Sequence, residues 1–341
     1  MRFWIFDFRF WILRQRSPTF SISALAVSFC TITFPAEAQQ PQRIPLVGYV
    51  SGAGRTSGVR SVEAFQQGLK DLGYVEGKNI KVEYRYPEGG ADRIRNAVQE
   101  LVQRKIDVLV TAAGGRVAGE ITKTIPIVMV SREDPVVAGV VGSFARPGGN
   151  VTGIARMTRE LSGKRLELLK EVIPRISRVG ILWDVNVRSP GIALKEYEAT
   201  AAALRLDTVS LEVRSPNPNF ESAFKATAKH GVHALVTILN PTLNRYQEEV
   251  AALAIKHRLP SMFESATYVE AGGLISYGSD DNANFRRTAY FVDRILKGAK
   301  PGDLPIEQPK EFELVINLNT AKQIGIIIPQ RVLARADKVI R

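Results

Sequence analysis

The sequence of 341 residues has few of the residue types that build reactive or metal-binding sites, with one cysteine, Cys30, and three histidines. Two arginines precede an uncharged run over residues 17–35, and small residues follow this run up to Ala38. This pattern predicts a secretory signal peptide over residues 1–38 with cleavage after Ala38. Because cleavage would remove Cys30, we expect a mature chain with no thiol nucleophile, disulfide or thiolate metal ligand.

Two alternatives for this N-terminal segment are a retained membrane anchor and lipid attachment at Cys30. The uncharged run is rich in Ser and Thr and shorter than the ~20 apolar residues that span a bilayer. Phe29 places a bulky ring where a lipid-attachment motif has small residues. We therefore expect a periplasmic protein with no stable membrane insertion after cleavage.

The chain also lacks any tract of five basic residues, although its formal net charge is +12. Its Lys and Arg residues are scattered over predicted helix faces and are not interleaved with aromatic residues. This distribution indicates a solvated basic surface, and we expect no nucleic-acid partner. A chain of this length with 45% hydrophobic and 23% charged residues is typical of a soluble protein with two domains.

Motifs of catalytic and nucleotide-binding sites are incomplete or missing. The stretch GAGRTSG at 52–58 has its third glycine one residue late for a dinucleotide-binding turn, and the stretch at 162–165 lacks the glycine and hydroxyl residue of a phosphate loop. No G-x-S-x-G elbow occurs. His230 and His233 are separated by a helix-breaking glycine and have no third ligand at a zinc-like spacing. We therefore predict no enzyme activity, no metal site and no cofactor.

Short apolar runs alternate with amphipathic helical patterns from Arg43 onward, which is typical of a parallel sheet covered by helices. In the first series, strands are predicted at 44–50, 79–86, 107–113 and 125–131. After the Gly-rich stretch at 144–154 a second series begins, with helices at 161–172, 191–204, 219–230 and 243–257 and strands at 178–184, 208–214, 233–240, 259–263 and 272–278. The predicted fold class is α/β, with two doubly wound Rossmann-like lobes.

The pattern at the end of the chain predicts that each lobe is completed by a segment from this region. A helix at 282–296 is assigned to the first lobe and a strand at 312–318 to the second, so the chain crosses near 150–156, 276–281 and 300–312. Three parallel linkers restrict the lobes to bending about a hinge with a cleft between them. The predicted boundaries are lobe 1 over 43–152 and 279–300, lobe 2 over 153–278 and 310–328, and a C-terminal helix over 329–341 whose lobe is left unassigned.

Several long blocks carry a family resemblance, among them GLKDLGYVEGKNIKVEYR (68–85), DPVVAGVVGSFARPGGNVTGI (134–154), EAGGLISYG (270–278) and VDRILKGAKPGDLPIEQPKEFELVINLNTAKQIG (292–325). In these blocks the chain resembles the substrate-binding proteins of tryptophan/tyrosine-type ABC transporters. The resemblance implies a type 1 periplasmic-binding-protein fold and a monomer. It also implies capture of a small organic ligand, with an aromatic amino acid as one candidate, and delivery to an ABC permease.

Ligands in open α/β sheets bind outside the carboxyl ends of the strands, so the residues that follow the strands are candidate ligand contacts. Glycine turns permit close approach of a carboxylate, but they serve equally as plain turns. A carboxylate before proline can pair with a ligand ammonium group or cap the next helix. The candidates in the first lobe are Ser51, Gly52, Ala113, Gly114, Ser131 and Asp134.

The second lobe offers aromatic and amide side chains at corresponding positions. Trp183 stands at the end of a predicted strand, where its ring could stack on a ligand or pack under a helix. Asn240 could bind a ligand or cap a helix. Tyr268 and Tyr277 are expected near the cleft, with packing in the second crossing as the alternative for Tyr277.

Two other functions stay open for this architecture. One is a ligand sensor that passes its bound state to a membrane receptor instead of a permease. The other is a secreted enzyme on a Rossmann-like fold, for which turnover of a ligand would be the sign.

Overall fold

The computed structural model describes residues 43–52, 54–55, 58–87, 91–112, 114–132, 134–156, 161–186 and 190–341, without the side chains of residues 91, 190 and 192. The predicted signal peptide and Ala113 lie outside the described residues. From residue 43 to residue 155 the elements are β1 (Leu46–Val50), α1 (Val59–Asp71), β2 (Lys81–Arg85), α2 (Ala91–Gln103), β3 (Val108–Thr111), α3 (Gly115–Ile121), β4 (Ile127–Ser131) and β5 (Val151–Ala155).

The remaining elements follow in the same alternation. They are α4 (Ser162–Val172), β6 (Arg178–Asp184), α5 (Pro190–Ala203), β7 (Asp207–Val213), α6 (Phe220–Lys229), β8 (Ala234–Thr237), α7 (Pro241–Arg245), α8 (Gln247–Lys256), β9 (Ser261–Phe263), α9 (Ala266–Glu270), β10 (Ile275–Ser279), α10 (Asp281–Leu296), β11 (Phe312–Asn317), α11 (Leu318–Ile324), α12 (Gln330–Leu333) and β12 (Lys338–Ile340). No helix in the described ranges is long and apolar enough to span a membrane.

The strands form two sheets, one in each lobe. The sheet of lobe 1 has the order β2-β1-β3-β4-β5 and is parallel throughout. The sheet of lobe 2 has the order β12-β11-β10-β9-β8-β6-β7. In both sheets apolar side chains are buried on each face, since alternate strand residues belong to different hydrophobic clusters. The α/β fold with two doubly wound lobes is therefore confirmed.

Helix α10 packs against α1 and also contacts β3, β4 and β5, so this late segment completes the helical layer of lobe 1. The chain leaves lobe 2 at the carboxyl end of β10 and must later re-enter lobe 2 at the same edge. Because it enters where β10 exits, β11 runs antiparallel to β10. The other strand pairs of this sheet are parallel, as predicted, and the pair of β10 with β11 is the exception.

Strand β5 occupies the stretch that was predicted as the first crossing. Val151 to Ala155 is fully buried and pairs in register with β4. Gly153 has φ 133°, and a Cβ atom there would lie 2.1 Å from the carbonyl oxygen of Met129, so this strand requires glycine at this point. The first described helix of lobe 2, α4, begins at Ser162.

The third crossing is attached to lobe 1 over most of its length. The hydroxyl of Thr152 donates to the carbonyl of Leu304 at 2.8 Å, and the backbone N–H of Glu307 donates to the carbonyl of Gly153 at 3.0 Å. Arg287 of α10 binds the Glu307 carboxylate with two hydrogen bonds, at 2.9 and 2.7 Å. The segment free to bend in this crossing is therefore 308–311.

The C-terminal helix predicted over 329–341 is wrong in extent. The helix ends at Leu333, and β12 then pairs in parallel with β11, with Val339 opposite Ile316. The carboxylate of Asp337 accepts the backbone N–H of Leu314 at 2.7 Å. The unpaired backbone edge of β11 needs hydrogen-bond partners, and this tertiary demand outweighs local helical propensity.

Candidate functional site

The carboxyl ends of the two sheets face each other across the lobe boundary. Arg156, directly after β5, forms an ion pair with Asp281, directly after the crossing from β10. The Asp281 carboxylate also accepts a 3.3 Å hydrogen bond from Ser265, which follows β9. The space between these two edges is the candidate ligand cleft.

The cleft edge of lobe 1 begins with the Gly-rich turn after β1. The backbone N–H of Ser51 donates to the carbonyl of Arg85 at 2.9 Å, which fixes the start of the turn. Gly52 is half-buried next to it. Gly114 begins α3 in the left-handed conformation, with φ 79°, as the predicted turn after β3 requires. These residues lie at the edge where the sequence placed them, and their contact with a ligand stays a prediction.

Ser131 and Asp134 follow β4 at the same edge. The carbonyl of Ser131 accepts the backbone N–H of Arg156 at 2.8 Å. The Asp134 carboxylate accepts the backbone N–H groups of Val136 and Val137 at 2.7 and 3.1 Å. Asp134 therefore caps the segment that follows it, as one of the two alternatives predicted, although this segment is a turn at 135–139 and not a helix. A contact of Asp134 with a ligand stays a prediction.

The aromatic candidates of lobe 2 contribute to packing within that lobe. The indole N–H of Trp183 donates to the hydroxyl of Ser210 at 2.8 Å, and its ring packs against the hydrophobic cluster beneath α5. Tyr268 is fully buried, stacks on Phe263 at 4.6 Å and donates to the carbonyl of Leu243 at 2.6 Å. Tyr268 was predicted near the cleft, and it is buried in the core of lobe 2. The ligand contacts of Trp183 and Tyr268 stay predictions.

Asn240 and Tyr277 also have internal partners. The side chain of Asn240 accepts the backbone N–H of Leu243 at 3.0 Å and so caps α7. The ring of Tyr277 lies 6.1 Å from that of Phe312, across the β10–β11 pair. Both observations match the structural alternatives left open for these residues, and their ligand contacts stay predictions.

A buried carboxylate missed by the sequence analysis holds the loops at this edge of lobe 2. Asp184, at the end of β6, accepts the backbone N–H groups of Asn186 and Ser215 at 3.0 and 3.2 Å. Its other oxygen accepts the hydroxyl of Thr242 at 2.6 Å. One side chain thus connects the segments after β6, β7 and β8.

An aromatic and basic pair at the edge of lobe 1 was also missed. The guanidinium of Arg55, in the turn after β1, lies 5.3 Å from the ring centre of Tyr86, which follows β2. Tyr86 is half-buried and Arg55 is exposed. A cation over a ring face gives about 0.5–1 kcal/mol at such an exposed site. The pair therefore offers a π face and a positive charge side by side.

Five charged side chains meet where the lobes join beside the crossings: Arg132, Arg156, Arg165, Glu264 and Asp281. We call this set the interlobe charge cluster. Within it Arg165 of α4 lies 3.7 Å from the Glu264 carboxylate and donates to the carbonyl of Tyr277 at 2.8 Å.

Burial shifts the pKa of Arg132 and of Glu264 in the interlobe charge cluster. Burial lowers the pKa of Arg132 to about 10, and the neighbouring Arg156 lowers it as well, so Arg132 stays charged at neutral pH. Burial raises the pKa of the Glu264 carboxyl, while the positive charges of Arg165 and Arg132 oppose that rise. The cluster therefore couples charges from both lobes in a poorly solvated space.

The lobes make a second, exposed ionic contact. Arg60 of α1 pairs with Glu270 at the end of α9, and Lys338 of β12 binds the same carboxylate at 2.8 Å. Arg60 and Glu270 line a groove of about 970 Å³ between α1, α9 and α10. The Arg60 side chain is 58% exposed, so the pair contributes no more than about 1 kcal/mol.

No group of three or more His, Cys, Asp or Glu side chains in the described ranges could hold a metal ion. The carboxyl-end edge of lobe 1 has glycine turns and the basic and aromatic side chains of Arg55 and Tyr86. Lobe 2 supplies loops held by buried polar groups. This arrangement can bind a small polar or aromatic molecule between two rigid bodies.

Comparison with known proteins connects this geometry to transport. A curated relative, the "Tyrosine-binding protein" of Clostridioides difficile (strain R20291), is 24% identical over 269 residues, 78% of this chain and 77% of the relative. The crystal structure of a conserved domain protein from Vibrio cholerae has a TM-score of 0.80 at 29% identity and covers 87% of this chain and 100% of that chain. The structure of an ABC domain in complex with L-Trp from Streptococcus pneumonia has a TM-score of 0.78 at 26% identity and covers 87% of this chain and 99% of that chain.

The fold itself extends to more distant proteins, since a LacI-type transcriptional regulator from Bacteroides fragilis has a TM-score of 0.60 at 8% identity. The architecture is that of type 1 periplasmic binding proteins, as the resemblance implied. The model of the family described as "ABC transporter substrate binding protein" matches residues 44–340. This match covers most of the chain, and the protein belongs to the family of ABC transporter substrate-binding proteins.

Proposed function

We propose that the protein captures an amino acid with an aromatic side chain in the cleft and delivers it to an ABC permease. The observation that carries this proposal is the opposition of two carboxyl-end sheet edges, with polar or charged side chains on both. The names of two relatives support the ligand class, because one is a tyrosine-binding protein and another was crystallised with L-Trp. Such a ligand has a carboxylate, an ammonium group and a ring, each of which needs a different partner.

The edge of lobe 1 has groups suited to two of these parts. The carboxylate would be bound by the turn at Ser51 and Gly52 together with the Arg55 guanidinium. The ring would stack at Tyr86, where Arg55 now covers the face of the aromatic ring. Asp134 is the candidate for the ammonium group, through lone pairs left after its turn hydrogen bonds.

Lobe 2 would contact the ligand once the two lobes have closed over it. Asn240 stands at the carboxyl end of β8, at the same edge as Glu264 and Ser265. A ligand favours the closed form only by the interactions that it gains there, so contacts with lobe 2 set how far binding shifts the equilibrium. A substitution on either lobe alone should therefore weaken closure.

The cellular setting completes the proposal. The predicted signal peptide would direct the chain to the periplasm, where it would act as a monomer without catalysis. N-terminal sequencing of the exported protein tests cleavage after Ala38. Delivery is tested by uptake of the ligand in cells that carry or lack the gene.

Ligand binding is tested on protein purified after export and refolded to remove carried ligand. Thermal unfolding is measured with tyrosine, tryptophan and phenylalanine, and with sugars and nucleosides as other classes. A ligand at 100 times its Kd stabilises by about 2.7 kcal/mol, which raises Tm by about 4 °C for a chain of about 300 residues. A shift with the aromatic amino acids alone supports the proposal, and a shift with another class replaces the ligand while keeping the transport function. Chemical turnover of any ligand would contradict the non-catalytic function.

Glu221→Gln is the matched control for site variants. Glu221 forms a 2.6 Å ion pair with Lys256 on the exposed surface of lobe 2, between α6 and α8. Neither residue of this exposed pair is a candidate ligand contact or stands at the end of a strand. Ligand-induced stabilisation should be equal in Glu221→Gln and the unmodified protein.

A further inference from the structure

The charges of lobe 2 are divided between the two ends of its parallel strands. At the cleft edge, Asp184, Glu264 and Asp280 stand at or directly after the carboxyl ends of β6, β9 and β10. The segments that lead into the amino ends of β6 to β9 carry several cations and one acidic residue, Asp207. These segments are 173–178, 204–207, 229–233 and 256–260. Their cations, which we call the basic end of lobe 2, are Arg175, Arg178, Arg205, Lys229, Lys256 and Arg258.

The pairing of the strands arranges the basic end as a row. In the order β9-β8-β6-β7, neighbouring strands lie about 4.8 Å apart, so the four loops extend over roughly 14 Å. Backbone hydrogen bonds connect the loops to each other. The N–H of Asp207 donates to the carbonyl of Ser177 at 2.8 Å, and the N–H of His233 donates to the carbonyl of Arg178 at 2.9 Å. The row is therefore a fixed part of lobe 2.

Most cations of the basic end have no carboxylate partner. Arg178 and Lys256 each form an ion pair, at 3.0 and 2.6 Å. The others form none with the residues that the structure describes, and each of them is exposed: Arg175, Arg205, Lys229 and Arg258. Lys229 lies in the last turn of α6, where the helix dipole favours a cation, whereas the three arginines lie beyond their helices. These charges give this end of the lobe a positive potential.

Two of these arginines occupy turns in which glycine is the favoured residue. Arg205 and Arg258 have φ values of 57° and 50° and follow the ends of α5 and α8. In both turns the arginine and the next residue donate backbone N–H groups to the last turn of the helix, at 2.8–3.0 Å. The equivalent turn after α6 has Gly231, with φ 61°. Because a side chain disfavours this conformation, ending the helix does not require arginine, and what the arginine adds is its charge.

The composition of the basic end distinguishes between classes of anionic partner. The unpaired arginines stand on three separate loops and are all exposed, which suits an extended negative surface better than a single small anion. Single-stranded nucleic acids stack on aromatic side chains, and the four segments contain no Phe, Tyr or Trp. A bilayer with anionic headgroups presents negative charge to the whole row and attracts clustered Lys and Arg residues.

We propose that the basic end of lobe 2 binds peripherally to an anionic phospholipid surface. The proposal goes beyond the proposed function and takes from it only the location beside the membrane that holds the permease. The cleft lies at the opposite edge of the sheet, so this contact leaves the cleft accessible and lobe 1 free to bend. Binding to the lipid surface keeps the protein close to the permease between rounds of delivery.

The test is sedimentation of the exported protein with lipid vesicles. One set of vesicles is phosphatidylcholine alone, and the other is an equal mixture of phosphatidylcholine and phosphatidylglycerol. We expect binding to the mixed vesicles only, and weaker binding as sodium chloride is raised, because salt screens the charges. Equal binding to both sets, or none to the mixed vesicles, would overturn the proposal. Binding to a DNA duplex without binding to vesicles would also overturn it and make nucleic acid the partner.

Arg205→Gly and Arg258→Gly remove the charge and place glycine in a left-handed turn, so both variants should fold. Each should weaken binding to the mixed vesicles about fivefold, and the two together about thirtyfold, because each cation near the lipid surface contributes separately. Lys105→Gly is the matched control, since Lys105 of lobe 1 also follows a helix and has φ 55°. It should leave binding within a factor of two. Equal weakening by the control would mean that net charge alone sets binding, and the basic end would be excluded.

Thermal unfolding with the solute panel separates this inference from the proposed function. Ligand-induced stabilisation should be equal in the double arginine variant and the unmodified protein, because the substitutions lie at the edge opposite the cleft. Vesicle binding without stabilisation by any solute would support the lipid contact and contradict ligand capture. Stabilisation by an aromatic amino acid without vesicle binding would support ligand capture and contradict the lipid contact.

Discussion

The two cleft edges differ in what their polar side chains do. On lobe 2, Asp184, Asn240 and Tyr268 each accept or donate hydrogen bonds that hold the loops of the same lobe. On lobe 1, Asp134 holds one turn in the same way, but the edge also has glycine turns and the Arg55 and Tyr86 pair, which is partly open to solvent. Lobe 2 is therefore built as a stiff support, and lobe 1 has the groups that can exchange a partner for a ligand. Substitutions at the edge of lobe 2 should change the stability of the protein, and substitutions at the edge of lobe 1 should change its affinity for the ligand.

The largest effect is expected for Asp184→Ala. The change leaves two backbone N–H groups and one hydroxyl without their buried acceptor, which should lower the free energy of unfolding by about 3 kcal/mol. Urea unfolding of the ligand-free protein measures it. Asp184→Asn keeps part of the hydrogen bonding and should cost less. If Asp184→Ala lowers the free energy of unfolding by less than about 1 kcal/mol, the polar side chains of the lobe 2 edge do not differ from those of lobe 1 in their effect on stability.

The complementary change on lobe 1 is Arg55→Gln. Binding of the aromatic amino acid found in the panel should weaken about tenfold, or 1.4 kcal/mol, because the ligand carboxylate loses a charged partner. The free energy of unfolding should change by less than about 0.5 kcal/mol, since the side chain is exposed. Isothermal titration calorimetry gives the affinity, with Glu221→Gln alongside. Equal affinities would exclude Arg55 from the site.

Tyr268→Phe sharpens the comparison on a residue that the sequence placed at the cleft. Loss of the hydroxyl removes the side-chain donor to the Leu243 carbonyl, which keeps the backbone N–H of Tyr246 at 3.2 Å, and should cost about 1 kcal/mol of stability. Affinity should stay within a factor of two. A tenfold loss of affinity without loss of stability would mean that Tyr268 contacts the ligand, and that lobe 2 takes part directly in ligand recognition.

The smallest effect is expected for Arg60→Gln at the exposed interlobe contact. A solvent-exposed ion pair is screened and pays side-chain entropy, so stability should change by less than about 0.5 kcal/mol. Any change should shrink further as salt is raised. Equilibrium unfolding at low and high ionic strength measures this. A larger and salt-insensitive effect would mean that this outer contact contributes to holding the two lobes together.

Much of this fold could be predicted from the sequence because buried strands and amphipathic helices leave periodic patterns. Strand β5 was missed because Gly153 interrupts it and its partners Met129 and Leu304 are distant in sequence. Strand β12 was missed because the pairing edge of β11 decides its conformation. In both cases the deciding interaction is tertiary, and a one-dimensional pattern does not contain it.

The candidate site was predicted only at the level of strand ends. The turns at Ser51 and Gly114 lie where the alternation placed them, because the carboxyl ends of parallel strands share an edge. The hydrogen-bond partner of Trp183 could not be predicted from the sequence, since Ser210 becomes its neighbour only through the pairing of β6 with β7. The interlobe charge cluster was invisible for the same reason, because Arg132 and Arg156 become neighbours only through the unpredicted strand β5.

The antiparallel insertion of β11 has a consequence for the order in which the molecule can fold. During synthesis, strands β6 to β10 can pair once the residues up to Ser279 are made. One edge of β10 stays unpaired until β11 is synthesised, and β11 begins more than thirty residues later, after helix α10 of the other lobe. An unpaired strand edge is a site of aggregation. The nascent second lobe should therefore depend on a chaperone, or on rapid completion of the first lobe, until its last thirty residues arrive.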